Sequence, residues 1–157
     1  MDAVLREMAD RVHAAVERGQ PLRLHGGGTK DFYGNALAGE PFDTRAYAGI
    51  VRHEASELVV TARSGTPLAD LEQSLAAANQ MLPFEPPHFG EGATLGGCVA
   101  TGLSGPRRAS AGSLRDFVLG ARLLDGRGRV LSFGGQVMKN VAGYDISRLL
   151  AGSLGTL

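Results

Sequence analysis

The chain has 157 residues, of which 43% are hydrophobic, and this is enough for one domain with a buried core. Because 16 basic residues balance 16 acidic ones, nucleic acid and anionic membrane surfaces are excluded as expected partners. Cys98 is the only cysteine, so neither an internal disulfide nor zinc-type spacing is possible. No window is apolar enough to span a membrane, and we expect a soluble, cytoplasmic protein without a metal site.

The first predicted element is an amphipathic helix. Asp2 is a plausible N-cap, and Gly19 follows at the position of a C-terminal cap. The predicted buried stripe consists of Val4, Leu5, Met8, Val12, Ala15 and Val16.

Strands and a second helix are predicted next. The stretches PLRLH (21–25), AGIVRHE (48–54) and SELVVTARSG (56–65) have the composition of strands. Thr66 and Pro67 are typical of an N-cap and a first helical residue. The predicted buried face of this helix consists of Leu68, Leu71, Leu75 and Ala78. We therefore expect a βαβ-like layer in the first third of the chain.

The second half begins with the proline-rich stretch MLPFEPPH (81–88), which excludes regular structure. The stretch 116–135 predicts a hairpin that turns at residues 125–128, because apolar residues flank Asp-Gly-Arg-Gly on both sides. A short helix is predicted over about 145–151.

Glycine is the unusual residue, with 23 copies in clusters. The stretch RLHGGGTKDFYG (23–34) follows a predicted strand, and its N–H groups could form an anion-binding nest. In GEGATLGGCVATGLSG (90–105), Thr94 is a candidate N-cap, and Gly96 and Gly97 fall in a first helical turn whose unpaired N–H groups favour an anion. Neither the P-loop nor the Rossmann spacing is present. Two such nests predict a pyrophosphate, although a turn without a ligand is an equally simple interpretation of the first cluster alone.

These motifs resemble the FAD-binding domain of vanillyl-alcohol-oxidase and p-cresol-methylhydroxylase type flavoproteins. LHGGGTK (24–30) is similar to their first pyrophosphate loop, and GATLGGCVATGLSG (92–105) is similar to their second. The resemblance implies an α+β, two-lobed FAD-binding domain over residues 1–157, with lobe one at about 1–65 and lobe two at about 66–157. It also implies that the chain stops before the last strand and the cap domain of that family.

The same resemblance implies the cofactor contacts. They are Gly26, Gly27, Gly28, Thr29, Lys30, Ala93, Thr94, Gly96, Gly97, Ala100, Thr101 and Gly102. Many relatives carry a flavin-linked histidine just after the first glycine run, whereas Thr29 and Lys30 stand there in this chain. We therefore expect non-covalent FAD. No catalytic residue is assigned, because the resemblance puts the substrate-orienting groups beyond residue 157.

The stretch KNVAGYDISRLLAGSLGTL (139–157) resembles the 2-hydroxy-acid-oxidising branch, and residues 107–157 are most similar to the FAD-binding subunits of bacterial glycolate oxidases. This implies oxidation of glycolate or a similar 2-hydroxy acid, with a paralogous flavoprotein subunit and an iron–sulfur subunit as partners. Those partners could hold the protein peripherally at the inner membrane. The alternative is a non-catalytic electron-relay or assembly subunit. The fragment itself is expected to be inactive, to hold FAD weakly or not at all, and to self-associate.

Several polar residues have a structural and a functional interpretation. His13, His53 and His88 are interpreted as structural, and Cys98 as buried. For Lys139, Tyr144 and Asp145, proximity to the cofactor and a simple capped helix with Asp145 as N-cap remain open alternatives.

Overall fold

The structure is a computed structural model, and it describes residues 2–135 and 144–157. The helices are α1 (Ala3–Glu17), α2 (Leu68–Ala76), α3 (Leu95–Thr101), α4 (Arg108–Ala111), α5 (Leu114–Phe117) and α6 (Ile146–Leu149), with a 3-10 turn at Ala55–Glu57. The strands are β1 (Leu22–His25), β2 (Glu40–Asp43), β3 (Ile50–Glu54), β4 (Val59–Ala62), β5 (Gly120–Leu124) and β6 (Val130–Gly134). This mixture confirms the predicted α+β class.

The strands of the described chain form three pairs. β1 and β2 are parallel, with Leu22 opposite Glu40, whereas β3·β4 and β5·β6 are antiparallel. The last pair confirms the hairpin predicted at 125–128. The predicted βαβ-like layer is wrong, because β1 pairs with the unpredicted β2 across a connection without a helix, while β3 and β4 form a separate pair. β2 has the sequence EPFD, in which Pro41 disfavours a strand and Phe42 alone gives no strand pattern.

Helix α1 has the predicted boundaries. The Asp2 carboxylate accepts a hydrogen bond of 2.9 Å from the backbone N–H of Leu5. Gly19 has a φ of 62°, the left-handed conformation common in residues just after a helix. Val16 is an exception to the predicted stripe, since it is 60% exposed. The face of α1 that packs is therefore narrower than the sequence predicts.

Helix α2 begins one residue later than predicted, and Thr66 is not its N-cap. The Thr66 hydroxyl instead donates to the carbonyl of Arg63 at 2.7 Å and accepts from the N–H of Gly49 at 3.0 Å. The N–H of Leu68 donates to the carbonyl of Ala93 at 2.8 Å. The second glycine-rich stretch is thus attached directly to the first turn of α2.

Two clusters of buried apolar side chains hold the fold together. One contains Leu68, Phe84, Ala93, Cys98 and Leu114, and the other contains Met8, Val12 and Phe42. Leu124 of β5, which belongs to the predicted second lobe, packs against the second cluster in the predicted first lobe. The lobe boundary near residue 65 therefore stays a prediction. Within the described ranges, no helix combines the length and apolarity needed to cross a membrane.

Leu68→Ala tests the first cluster. Because Leu68 is fully buried, we expect the free energy of unfolding to fall by about 2–5 kcal/mol in urea denaturation. The matched control is Leu37→Ala, at a side chain that is 47% exposed, with an expected change below about 0.5 kcal/mol. Equal effects of the two substitutions would contradict this assignment of the core.

Candidate functional site

Two glycine-containing loops lie against each other at the candidate site. We call residues 26–32 the first glycine loop and residues 88–94 the second glycine loop. A Cβ atom on Gly26 would come within 2.6 Å of the Thr94 hydroxyl, and one on Gly27 would overlap the carbonyl oxygen of Gly92. Glycine is therefore required at positions 26 and 27 because the second loop packs against them. The sequence instead suggests that glycine makes room for a phosphate.

Contacts continue along both loops in opposite directions. The methyl group of Thr29 is 3.7 Å from the position of a Cβ on Gly90, and the Lys30 ammonium lies 3.4 Å from the carbonyl oxygen of His88. The rings of Phe32 and Phe89 then meet edge to face at 5.2 Å. The two loops consequently run antiparallel from residue 26 to residue 32.

The first glycine loop offers a row of backbone donors. In the part of the chain that the structure describes, the N–H groups of residues 26–30 donate to no protein acceptor. Gly28 has a left-handed φ of 69°, a conformation typical of backbone nests. These N–H groups are available to donate hydrogen bonds to an anion, and the oxygen atoms of a pyrophosphate require such donors.

The first turn of α3 differs from the first glycine loop, because its backbone N–H groups already donate hydrogen bonds within the protein. Leu95 donates to the carbonyl of Thr66 at 2.9 Å and Gly96 to that of Ser64 at 2.7 Å. The N–H of Gly97 donates to the Thr94 hydroxyl at 3.2 Å, which confirms Thr94 as the N-cap. The expectation of unpaired N–H groups in this turn is not supported by the structure, and Gly96 lies against Ser64 instead.

The last three predicted contacts lie at the other end of α3. The Thr101 hydroxyl donates to the carbonyl of Gly97 at 2.9 Å, and Ala100 accepts from the N–H of Leu154 at 2.9 Å. A Cβ on Gly102 would come within 2.9 Å of the backbone nitrogen of Gly152. The structure therefore brings residues 26–30 together with Ala93 and Thr94, and brings residues 100–102 to the segment 152–154.

Lys30 and Cys98 lie in partly desolvated surroundings. Lys30 is half-buried, and burial lowers the pKa of its ammonium group. Its ammonium is 5.8 Å from the centre of the Phe89 ring, close enough for a cation–π contact. Cys98 is buried as predicted, and burial raises the pKa of its thiol to about 12, so the thiol is protonated at neutral pH.

The histidines have partners that the sequence does not predict. His13 lies 2.9 Å from the carbonyl of Arg127, and His53 lies 2.9 Å from the Gln80 amide oxygen. His88 Nε2 is 2.9 Å from the carboxylate of Glu72, in the middle of α2. Glu72 occupies a partly exposed helical position with no local motif, so no sequence signal identifies it.

Of the polar set near the chain's end, Asp145 caps α6 by accepting from the N–H of Arg148 at 3.2 Å, which confirms the capped-helix interpretation. Tyr144 is 96% exposed. Lys139 lies outside the described residues. Over residues 2–135 and 144–157, no group of three or more His, Cys, Asp or Glu side chains is arranged to hold a metal ion.

Two paired glycine loops with a row of backbone N–H donors form a candidate anion site, and comparison with known proteins assigns the chain to a family. Residues 5–134 match the model of the FAD binding domain, so the chain belongs to that family and FAD is its cofactor. The Escherichia coli glycolate oxidase subunit GlcE is 53% identical over 96% of this chain and 43% of that protein.

More distant relatives have the same type of domain. A D-lactate dehydrogenase of Archaeoglobus fulgidus is 35% identical over 91% of this chain and 32% of its own length. Glycolate oxidase subunit GlcD of Bacillus subtilis is 31% identical over 69% of this chain and 23% of that protein. Alkyldihydroxyacetonephosphate synthase shares the fold, with a TM-score of 0.72 at 23% identity over 96% of this chain and 28% of that chain. The chain thus spans less than half the length of these relatives.

Gly27→Ala tests the contact between the loops. Because the added Cβ would overlap the Gly92 carbonyl, we expect the unfolding midpoint to fall and the free energy of unfolding to drop by roughly 1–3 kcal/mol. The matched control is Gly126→Ala in the hairpin turn, where a Cβ meets nothing within 4 Å. A Gly27→Ala protein as stable as the control would contradict the loop pairing.

The burial of Cys98 can be tested through the pH dependence of stability. Above about pH 9 the unfolded thiol ionises while the folded one, with its pKa of about 12, stays protonated, so stability is lost as the pH rises. Relative to Cys98→Ala, the wild type should lose about 1–2 kcal/mol of unfolding free energy between pH 8 and pH 10. Urea denaturation of both proteins at the two pH values measures this difference, and parallel pH profiles would show that the thiol is accessible to water.

Proposed function

We propose that this chain is the FAD-binding part of a flavin-dependent 2-hydroxy-acid oxidase that converts glycolate to glyoxylate. The observation that carries the proposal is the first glycine loop, whose five successive N–H groups are held in place by the second loop. The similarity to GlcE and to a D-lactate dehydrogenase supports the choice of a 2-hydroxy acid.

The residues present fit a bound FAD. The N–H groups of residues 26–30 would hold the pyrophosphate, with Ala93 and Thr94 closing the site from the second loop. Gly96, Gly97, Ala100, Thr101 and Gly102 would line the site along α3. Thr29 and Lys30 carry no imidazole, which supports non-covalent binding. When bound, FAD supplies the two-electron acceptor that oxidation of an alcohol requires. This chain's share is to bind and orient that group.

The partner subunits belong to the same proposal. The chain is similar both to GlcE and to GlcD, two proteins named as glycolate oxidase subunits. This supports a complex with a paralogous flavoprotein subunit, and we extend it to an iron–sulfur subunit that accepts the electrons and to a peripheral position at the inner membrane. The same double similarity also favours a second candidate function, in which the paralogue oxidises the substrate and this subunit is an electron relay or assembly subunit.

The test is the visible spectrum of the purified full-length protein, before and after addition of glycolate without oxygen. We expect flavin bands at about 370 and 450 nm, and bleaching by glycolate in the absence of the partner subunits. Bleaching that requires the paralogous subunit would instead support the relay or assembly role. A protein that neither contains flavin nor binds added FAD would contradict both.

A further inference from the structure

We propose that Glu72 is a positioning residue for the flavin site, because through His88 and Lys30 it holds both glycine loops in their paired arrangement. This inference rests on the proposed function. It assigns to α2, which contributes no predicted cofactor contact, the task of setting the site's geometry.

The first link joins α2 to the second glycine loop. Leu68, Leu71 and Leu75 are buried, so α2 is fixed to the core and provides a rigid support. From its partly exposed side, the Glu72 carboxylate meets His88 Nε2 at 2.9 Å, with 38% and 35% of the respective side chains exposed. An N–H at Nε2 can donate to this carboxylate whether the imidazole is neutral or protonated.

The second link joins the two loops. The carbonyl of His88 accepts from the Lys30 ammonium at 3.4 Å, and the next residue, Phe89, places its ring 5.8 Å from the same ammonium. Since Lys30 is half-buried, these contacts replace part of the water that the ammonium has lost. An unbroken series of contacts therefore runs from the Glu72 carboxylate to the first glycine loop.

The second glycine loop needs such support, because residues 77–94 contain no helix or strand. Its backbone also includes Phe89 at a φ of 57°, an uncommon conformation for a bulky side chain that surrounding contacts must stabilise. If the Glu72–His88 contact is lost, the loop can relax, and the N–H groups of residues 26–30 lose their fixed direction. The expected result is weaker FAD binding in a protein that still folds.

The test measures the Kd of FAD by quenching of flavin fluorescence in the full-length protein. Glu72→Ala should weaken binding roughly fivefold, as the partial exposure of the pair suggests. Glu72→Gln should restore binding to within about twofold, because its amide oxygen accepts the same bond from His88. The matched control is Asp70→Asn, another carboxylate of α2 whose side chain is exposed, and it should leave the Kd unchanged.

A double-mutant cycle separates positioning from a general loss of stability. Lys30→Met should weaken FAD binding by itself, and adding Glu72→Ala to it should weaken binding little further, because Lys30→Met already breaks the series of contacts. If Glu72→Ala does not fold, His88→Ala takes its place in the cycle. Wild-type affinity in the alanine variant, failure of the glutamine to rescue, or fully additive losses would each overturn the inference. A wild-type protein that does not bind FAD would refute the proposed function itself.

Discussion

The space between Gly27 and the carbonyl of Gly92 is too small for any side chain, and this close approach sets the geometry of the rest of the site. The second glycine loop is fixed at one end by the hydrogen bond between Leu68 and Ala93 and at the other by His88 on Glu72. Among the described residues, no hydrogen bond joins the first loop to a helix. It contacts the second loop from Gly26 to Phe32, so the proposed flavin site is a contact between two loops, of which the second is attached to α2.

This arrangement also decides which groups are available to an anion. The short helix α3 has its first-turn N–H groups occupied by Ser64, Thr66 and Thr94, so its N-terminus attaches the second loop to the turn between β4 and α2. The N–H groups of residues 26–30, by contrast, have no protein acceptor within residues 2–135 and 144–157, and they lie in a loop without a helix dipole. If FAD binds as proposed, recognition of its pyrophosphate depends on loop conformation, which is more deformable than a helix end.

Much of this could be predicted from local sequence. Helix α1 and the β5·β6 hairpin were predictable because a cap, a period of hydrophobicity or a turn sequence specifies each within a few residues. Strand β2 was not, because EPFD pairs with β1 through the backbone and contains a proline, which disfavours strands. Thr66 has the sequence context of an N-cap, yet its hydroxyl donates to the carbonyl of Arg63 and accepts from the N–H of Gly49, which lies 17 positions away and is brought close only by the folded chain. The same holds for Glu72 and His88.

The loop pairing also has a consequence for the order in which the protein folds. Lys30 and His88 are separated by 58 positions, so the first glycine loop cannot adopt its final shape until the chain through the second loop has been synthesised. Helix α1 and the β5·β6 hairpin depend on local contacts and can form early, whereas the proposed nucleotide site forms only after a long-range loop closure with its entropic cost. In a ribosome-bound chain that ends before residue 88, the first glycine loop would lack its fixed conformation. Binding of the proposed cofactor could begin only after the second loop has left the ribosome.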